Sequence, residues 1–294
     1  MKIATPCNLD RVFSDPPGGG SPVEPAVALM GIEPTDELPP ETVCNETTAA
    51  ASPFDRALCC PDETISWRED LRQLCPMLRD DACAVVTWKN AIILGVATGG
   101  VLAIREDWDG RVRAETSEHP QRWADTTQVL RQFGEATWQV PVMFGVYGYS
   151  VWQQDPELHS FSKATISAHA LSALTTVVIK VAANTHRPTT AYQGGRYGFP
   201  SYHTSSTFAI AATIEEYYGW KAGLPAYALA GLVGWSRIDE REHDLSDVVF
   251  GAVLGYVIGK SVSAAHLDRE CGVQVCPYYE PVSRTTGMML EIPF

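Results

Sequence analysis

Between residues 67 and 266, apolar positions run through long segments without the sustained alternation of a half-buried strand. The pattern predicts helices over about 67–79, 82–104, 122–154, 160–186, 203–219, 222–238 and 244–266. Ser66, followed by Glu69, has the spacing of a capping box at the first helix start. The fold class is therefore all-α. No internal repeat is evident.

The longest clearly apolar run, "AIILGVATGGVLAI" at 91–104, is 14 residues, short of the ~20 that a spanning helix needs. Segment 136–154 is uncharged but interrupted by Gln139, Pro141, Gly145, Gly148 and Ser150, and 164–179 carries Ser, Thr and His. These segments read as helices buried in a soluble core, with a compact bundle of short membrane helices as the alternative.

The first 65 residues differ in kind. "DPPGGGSPVEP" and "EPTDELPPET" break both helix and strand. The division is an irregular Pro/Gly/Cys-rich N-terminal arm (1–65), a helical domain (66–270) and a C-terminal tail (271–294). The arm is either pinned to the body by cysteines or a disordered tail. The final segment, with Tyr, Val and Thr between turn residues, is either a short strand or a stretch lying along the body.

Composition refines this picture. The net charge of −13 argues against a nucleic-acid partner, which calls for a basic surface. It does not exclude anionic small substrates, because local cations can override a distant field. Six of the eight cysteines fall in the first 83 residues, and Cys271 and Cys276 lie near the end. An even count confined to the flanks suggests disulfides in an oxidising compartment, hence an extracytoplasmic protein, periplasmic or secreted, whose export signal is not in this chain. A zinc site is less favoured because no pair has CxxC spacing. Asn45-Glu46-Thr47 is a glycosylation sequon of low specificity.

Three polar segments carry candidate chemistry. In "KVAANTHRP", Lys180 and Arg187 are seven apart, on one face if the helix continues to Pro188. In "GFPSYHTSS", Pro200 and Ser201 precede a helix starting near His203, and a helix N-terminus is an anion site. In "SRIDEREHDLSD", Arg237 is followed by His243 and Asp247, whose spacing of four lets the carboxylate orient the imidazole and leave its other nitrogen free. Taken singly, each has an ordinary reading: an exposed cation pair, a helix cap, a charged interhelical loop. Together they supply two histidines, three cations, a helix N-terminus and an orienting carboxylate, the equipment of metal-free phosphoryl transfer. Asp239, Glu240, Arg241 and Glu242 read as a solvated turn, and His186 as structural or exposed.

These segments resemble the three-part signature KxxxxxxRP, PSGH and SRxxxxxHxxxD of the type 2 phosphatidic acid phosphatases, class A acid phosphatases and vanadium haloperoxidases. The resemblance covers roughly residues 84–266 and implies their helical bundle. It also implies a phosphatase acting on phosphate monoesters, lipid phosphates among them, through a phosphohistidine. In that reading His243 is the nucleophile, Asp247 its orienting group and His203 the general acid. Lys180, Arg187, Ser201, Tyr202 and Arg237 hold the phosphoryl oxygens. No metal or other cofactor is implied. Vanadate is expected as an inhibitor, or as cofactor if the chain is instead a haloperoxidase. A phosphate-binding protein without turnover is the third reading. The partner is a phosphorylated small molecule or lipid, with room for peripheral membrane contact. One position departs from the signature: Tyr202 stands where the family has Gly, and a role in leaving-group selection is the expectation for it.

Overall fold

The computed structural model describes residues 64–120, 122–190, 193–270, 274–280 and 285–291. The helices are α1 (Trp67–Val85), α2 (Trp88–Asp107), α3 (Asp109–Glu118), α4 (Asp125–Phe133), α5 (Ala136–Gln153), α6 (Pro156–Ala183), α7 (Tyr202–Tyr218), α8 (Trp220–Asp239) and α9 (Leu245–Glu270). An antiparallel hairpin follows, β1 (Gln274–Glu280) with β2 (Thr285–Glu291), paired from Gln274↔Glu291 to Glu280↔Thr285. The helical bundle matches the expected class. The N-terminal arm and its sequon lie outside the described residues.

Local boundaries differ from the sequence pattern where side-chain chemistry intervenes. The span expected as one helix over 122–154 is two, α4 and α5, broken at Gly134-Glu135. A Cβ on Gly134 would lie 2.8 Å from the Cβ of His203 and 2.7 Å from Val233 Cγ1. The break therefore lets this corner press against the head of α7. At the start of α1 the capping box does not form. The Ser66 side chain makes no cap bond, while Glu69 accepts from Arg72 and Gln73 instead.

The centre of the bundle is α7 packed on α9, with α6 alongside both. Gly251, Gly255 and Gly259 repeat every four residues and form one ridge on α9. Cβ atoms there would come within 2.8 Å of the Ser201 carbonyl, 2.1 Å of the Ser205 carbonyl and 2.4 Å of the Ala209 carbonyl. Only bare backbone permits that approach. Because 251 faces 201 and 259 faces 209, the two helices run parallel and their N-termini meet at one end. α6 runs the opposite way: Thr176 Oγ1 lies 2.8 Å from Ser205 Oγ, and Ser160 Oγ lies 2.7 Å from the Tyr217 hydroxyl. The C-terminus of α6 therefore arrives at that same end.

The interior is unusually polar. Ser162, Ser167, Ser172 and Thr176 of α6, and Thr204, Ser205, Ser206 and Thr213 of α7, are buried, each 1% exposed or less. Meanwhile Leu174, Val177, Val178 and Val181 of the same α6, Trp138, Val142 and Phe144 of α5, and Leu224 and Leu232 of α8 lie exposed. This is the distribution of a bundle whose surroundings are apolar and whose helix contacts are made by small residues and hydroxyls. α6 and α9 are each long and apolar enough to cross a membrane, and α1 with α2 forms a bent pair that passes the same test. At 1.5 Å per residue, the 28 residues of α6 reach about 42 Å. The soluble-core expectation fails because run length was the wrong measure. Ser, Thr and His interrupt the apolar run, but they occupy the inward face and leave the outward face apolar.

Candidate active site

Four chain segments meet where α7 and α9 begin. Ser201 N–H donates to the Asp247 carbonyl at 3.1 Å, joining the head of α7 to the first turn of α9. Ser201 is fully buried and its hydroxyl accepts from Thr204 Oγ1 at 3.0 Å. Phe199-Pro200 is a cis peptide leading into the helix.

His243 lies just before α9, 3% exposed, with Nδ1 3.3 Å from Asp247 Oδ2. Asp247 also accepts from the Asp244 N–H at 3.1 Å. A carboxylate held in this way keeps the imidazole fixed and directs its other nitrogen away from α9. Burial, then the charges of Lys180, Arg187 and Arg237, hold the His243 pKa well below 6.5, against the opposing pull of the Gly198 carbonyl. The ring is therefore neutral at neutral pH.

The cations arrive by different routes from the one the spacing suggested. α6 ends at Ala183 and Asn184 turns left-handed at φ 42°, so Arg187 leaves the helix instead of sharing its face with Lys180. The two nonetheless converge on one carbonyl. Lys180 Nζ donates to Tyr197 O at 2.9 Å and to Gly198 O at 3.2 Å, and Arg187 Nη2 donates to Tyr197 O at 3.3 Å. Arg237 closes α8 and is 4% exposed. Its Nε has no hydrogen-bond partner among the described residues.

His203 stands in the first turn of α7. Its Nε2 is buried without a hydrogen-bond partner and lies 3.9 Å from Glu135 Oε1. Burial, followed by the neighbouring Arg237 charge and then His243, pushes its pKa far down. His203 is thus neutral, and an anion brought close to it would favour its protonated form. Tyr202 is an ordinary helical residue. Its hydroxyl reaches His169 Nε2 at 3.2 Å, toward α6. The ring stands edge-on to His203 with centroids 5.9 Å apart.

Sequence reasoning missed a supporting layer. Asp109, at the head of α3, accepts from both the N–H (3.0 Å) and the hydroxyl (2.5 Å) of Ser246, capping α9 from another helix. Arg113 grips Asp244 through two bonds of 2.6 and 2.5 Å. Asp244 follows His243 directly, which was the one available signal. Nothing local in 109–113 marks a partner more than 130 positions away. A cavity of about 560 Å³ opens beside this layer, lined by Arg105, Asp109, Gly110, Arg113, Thr185 and His186. His186 is exposed, as expected.

The solvated-turn reading of 239–242 is overturned. Asp239 is 4% exposed and accepts from the Thr127 hydroxyl at 2.7 Å. Glu240 pairs with Arg237, and Glu242 Oε2 sits 2.6 Å from Arg187 Nη1. The buried guanidiniums at this end draw in the nearest carboxylates.

Residues 161–271 match the PAP2 superfamily. The match contains Lys180, Arg187, Ser201, His203, Arg237, His243 and Asp247. Over 59 residues the chain is 36% identical to the lipid A 4'-phosphatase of Helicobacter pylori, covering 20% of this chain and 30% of that protein. Over 65 residues it is 35% identical to the lipid A 1-phosphatase of Porphyromonas gingivalis, covering 21% and 15% respectively. The chain thus aligns with under a third of either relative. Its fold is also that of the Bacillus subtilis transmembrane PAP2-type phosphatidylglycerolphosphate phosphatase. There the TM-score is 0.53 at 16% identity, over 63% of this chain and 98% of the other.

These findings correct the location inferred from cysteines. A periplasmic or secreted protein does not fit a bundle with an apolar exterior, two helices long and apolar enough to cross a membrane, and a fold shared with a transmembrane phosphatase. The disulfide expectation behind it also lacks support. Cys75 and Cys83 are both free and exposed on α1, and the other six cysteines lie outside the described side chains.

Proposed function

We propose that this chain is a membrane-embedded phosphatase that hydrolyses a lipid phosphate monoester through a phosphohistidine on His243. The observation that carries the reading is the convergence of three cations, two of them buried guanidiniums, on a neutral histidine oriented by Asp247 where α7 and α9 both begin. Two of the named proteins are lipid A phosphatases and the third a phosphatidylglycerolphosphate phosphatase, and the apolar exterior suits a substrate delivered from a bilayer.

The chemistry proceeds in two displacements. The free nitrogen of His243 attacks phosphorus, forming the N–P bond as the P–O bond to the leaving group breaks. His203 gives its proton to that oxygen. Water then attacks the phosphohistidine, His203 takes a proton from it, and the N–P bond breaks to release phosphate. Lys180, Arg187 and Arg237 neutralise the phosphoryl oxygens, and the backbone N–H groups of the first turn of α7 face the same charge. Each His203 proton transfer is favoured by the dianion, which counters the burial and the Arg237 charge that depress its pKa. No metal takes part in either step.

The test is hydrolysis of p-nitrophenyl phosphate, then of phosphatidic acid in mixed micelles, by the detergent-solubilised chain with chelator present. Turnover that survives chelator, disappears in His243→Ala and is inhibited by vanadate is the expected result. Turnover retained in His243→Ala would overturn the mechanism. Loss of turnover on chelation would show that the site needs a metal.

A further inference from the structure

We propose that Glu240 and Glu242 are resident competitors for the phosphate cradle, and that the pair selects dianionic monoesters over monoanionic diesters. The inference rests on the phosphatase reading above. The two guanidiniums that would hold phosphoryl oxygens hold carboxylates. Arg187 spends Nη1 on Glu242, on both its carboxylate (2.6 Å) and its backbone carbonyl (3.1 Å), and Arg237 pairs with Glu240. All four side chains are at most 18% exposed, so each carboxylate acts where water screens it weakly.

The carboxylates do not satisfy the cradle fully. Arg237 Nε and His203 Nε2 are both buried and have no hydrogen-bond partner among the described residues. Each carboxylate meets its guanidinium through one oxygen, Oε2, at a single Nη1. A phosphoryl group has three non-bridging oxygens and can reach the orphaned donors as well. Binding is therefore an exchange: two carboxylate charges leave the cradle and two phosphoryl charges replace them. A monoester dianion restores the balance against Lys180, Arg187 and Arg237. A diester, with one charge, leaves the cradle short of an anion and cannot displace both residents without loss.

The ordinary alternative is that Glu242 and Glu240 only position the guanidiniums. The two roles predict opposite signs. Inorganic phosphate is titrated calorimetrically into the full chain in detergent, for the parent, Glu242→Gln, Glu240→Gln and the double variant. Glutamine keeps size and hydrogen-bond capacity but removes the charge. Competition predicts tighter phosphate binding, on the order of tenfold per site, with KM for a monoester falling in step and the monoester-to-diester preference narrowing. Positioning predicts weaker phosphate binding and a fall in kcat, which would overturn the proposal, as would unchanged affinity. A parent that binds no phosphate would count against the phosphatase reading itself and this inference with it. A parent that binds while the variants bind no better would sink this inference alone.

Discussion

Helix α9 carries a buried histidine–aspartate pair at each end. At its start, His243 Nδ1 lies 3.3 Å from Asp247; near its end, His266 Nε2 lies 3.0 Å from Asp81 of α1. Asp81 is fully buried and Asp247 is 2% exposed. By residue type and burial the two pairs are nearly equivalent, yet their surroundings differ. Asp81 also accepts from Ser167 at 2.5 Å and pairs with Arg269, so one carboxylate answers one guanidinium, one hydroxyl and one imidazole. That network is closed and ties α1, α6 and α9 together. Around His243 three cations gather and two helix N-termini converge, and among the described residues the buried Arg237 Nε and His203 Nε2 have no hydrogen-bond partner. A histidine–aspartate pair is not in itself a site. What sets this one apart is a convergence of several cations and buried nitrogens that an incoming anion can engage.

The largest expected effect separates the pairs outright. His243→Ala should lower phosphate-ester turnover by on the order of 10⁴-fold or more, whereas His266→Ala should leave kcat/KM within about threefold and lower the melting temperature. Equal losses of turnover in both would break the distinction. The aspartates should divide in the same way. Asp247→Asn should cost about 10²–10³ in kcat by loosening the attacking ring. Asp81→Asn takes the charged partner from the buried His266 imidazole and should destabilise by about 1–3 kcal/mol, seen as a lower thermal midpoint with kcat retained in the folded fraction.

The shared scaffold should respond at both ends. Gly255→Ala places a Cβ 2.1 Å from the Ser205 carbonyl, so α7 and α9 must part. Turnover should drop about 10–100-fold, because misplacement of roughly 1 Å is that costly, with stability falling as well. Gly231→Ala on α8, where a Cβ meets nothing within 4 Å, is the control and should change neither.

The smallest effect is in pH. The folded pKa of His243 lies below its unfolded value, so acidification protonates the unfolded chain first. Stability should therefore fall as pH drops below about 6.5, by at most ~1.4 kcal/mol per pH unit per histidine. A His243→Gln variant should lose part of that slope, read from melting temperatures between pH 7.5 and 5. For the same reason the acid limb of kcat/KM should lie below pH 6.5, because the attacking nitrogen stays unprotonated there.

Much was legible in sequence because the chemistry is local in each segment. Arg237, His243 and Asp247 fall within twelve residues, and Pro200-Ser201 announces a helix start, so the motifs survive any error in helix boundaries. The supporting residues were illegible for the opposite reason. Asp109 caps α9 from 137 positions away, and Glu135 approaches His203 only because Gly134 has no side chain.

Sequence alone determined that this chain is helical and that two histidines, three cations and an aspartate recur at spacings that suit phosphoryl transfer. Those are properties of residue type and short-range spacing. The tertiary structure decided the rest. It set which way each face points, putting hydroxyls inside and leucines outside. Through the bare ridge Gly251, Gly255 and Gly259 it brought the heads of α7 and α9 together. It also showed that a turn rich in Glu is not solvated but closes on the guanidiniums. Each of these depends on contacts between distant segments, where burial strengthens charge interactions that water would otherwise screen.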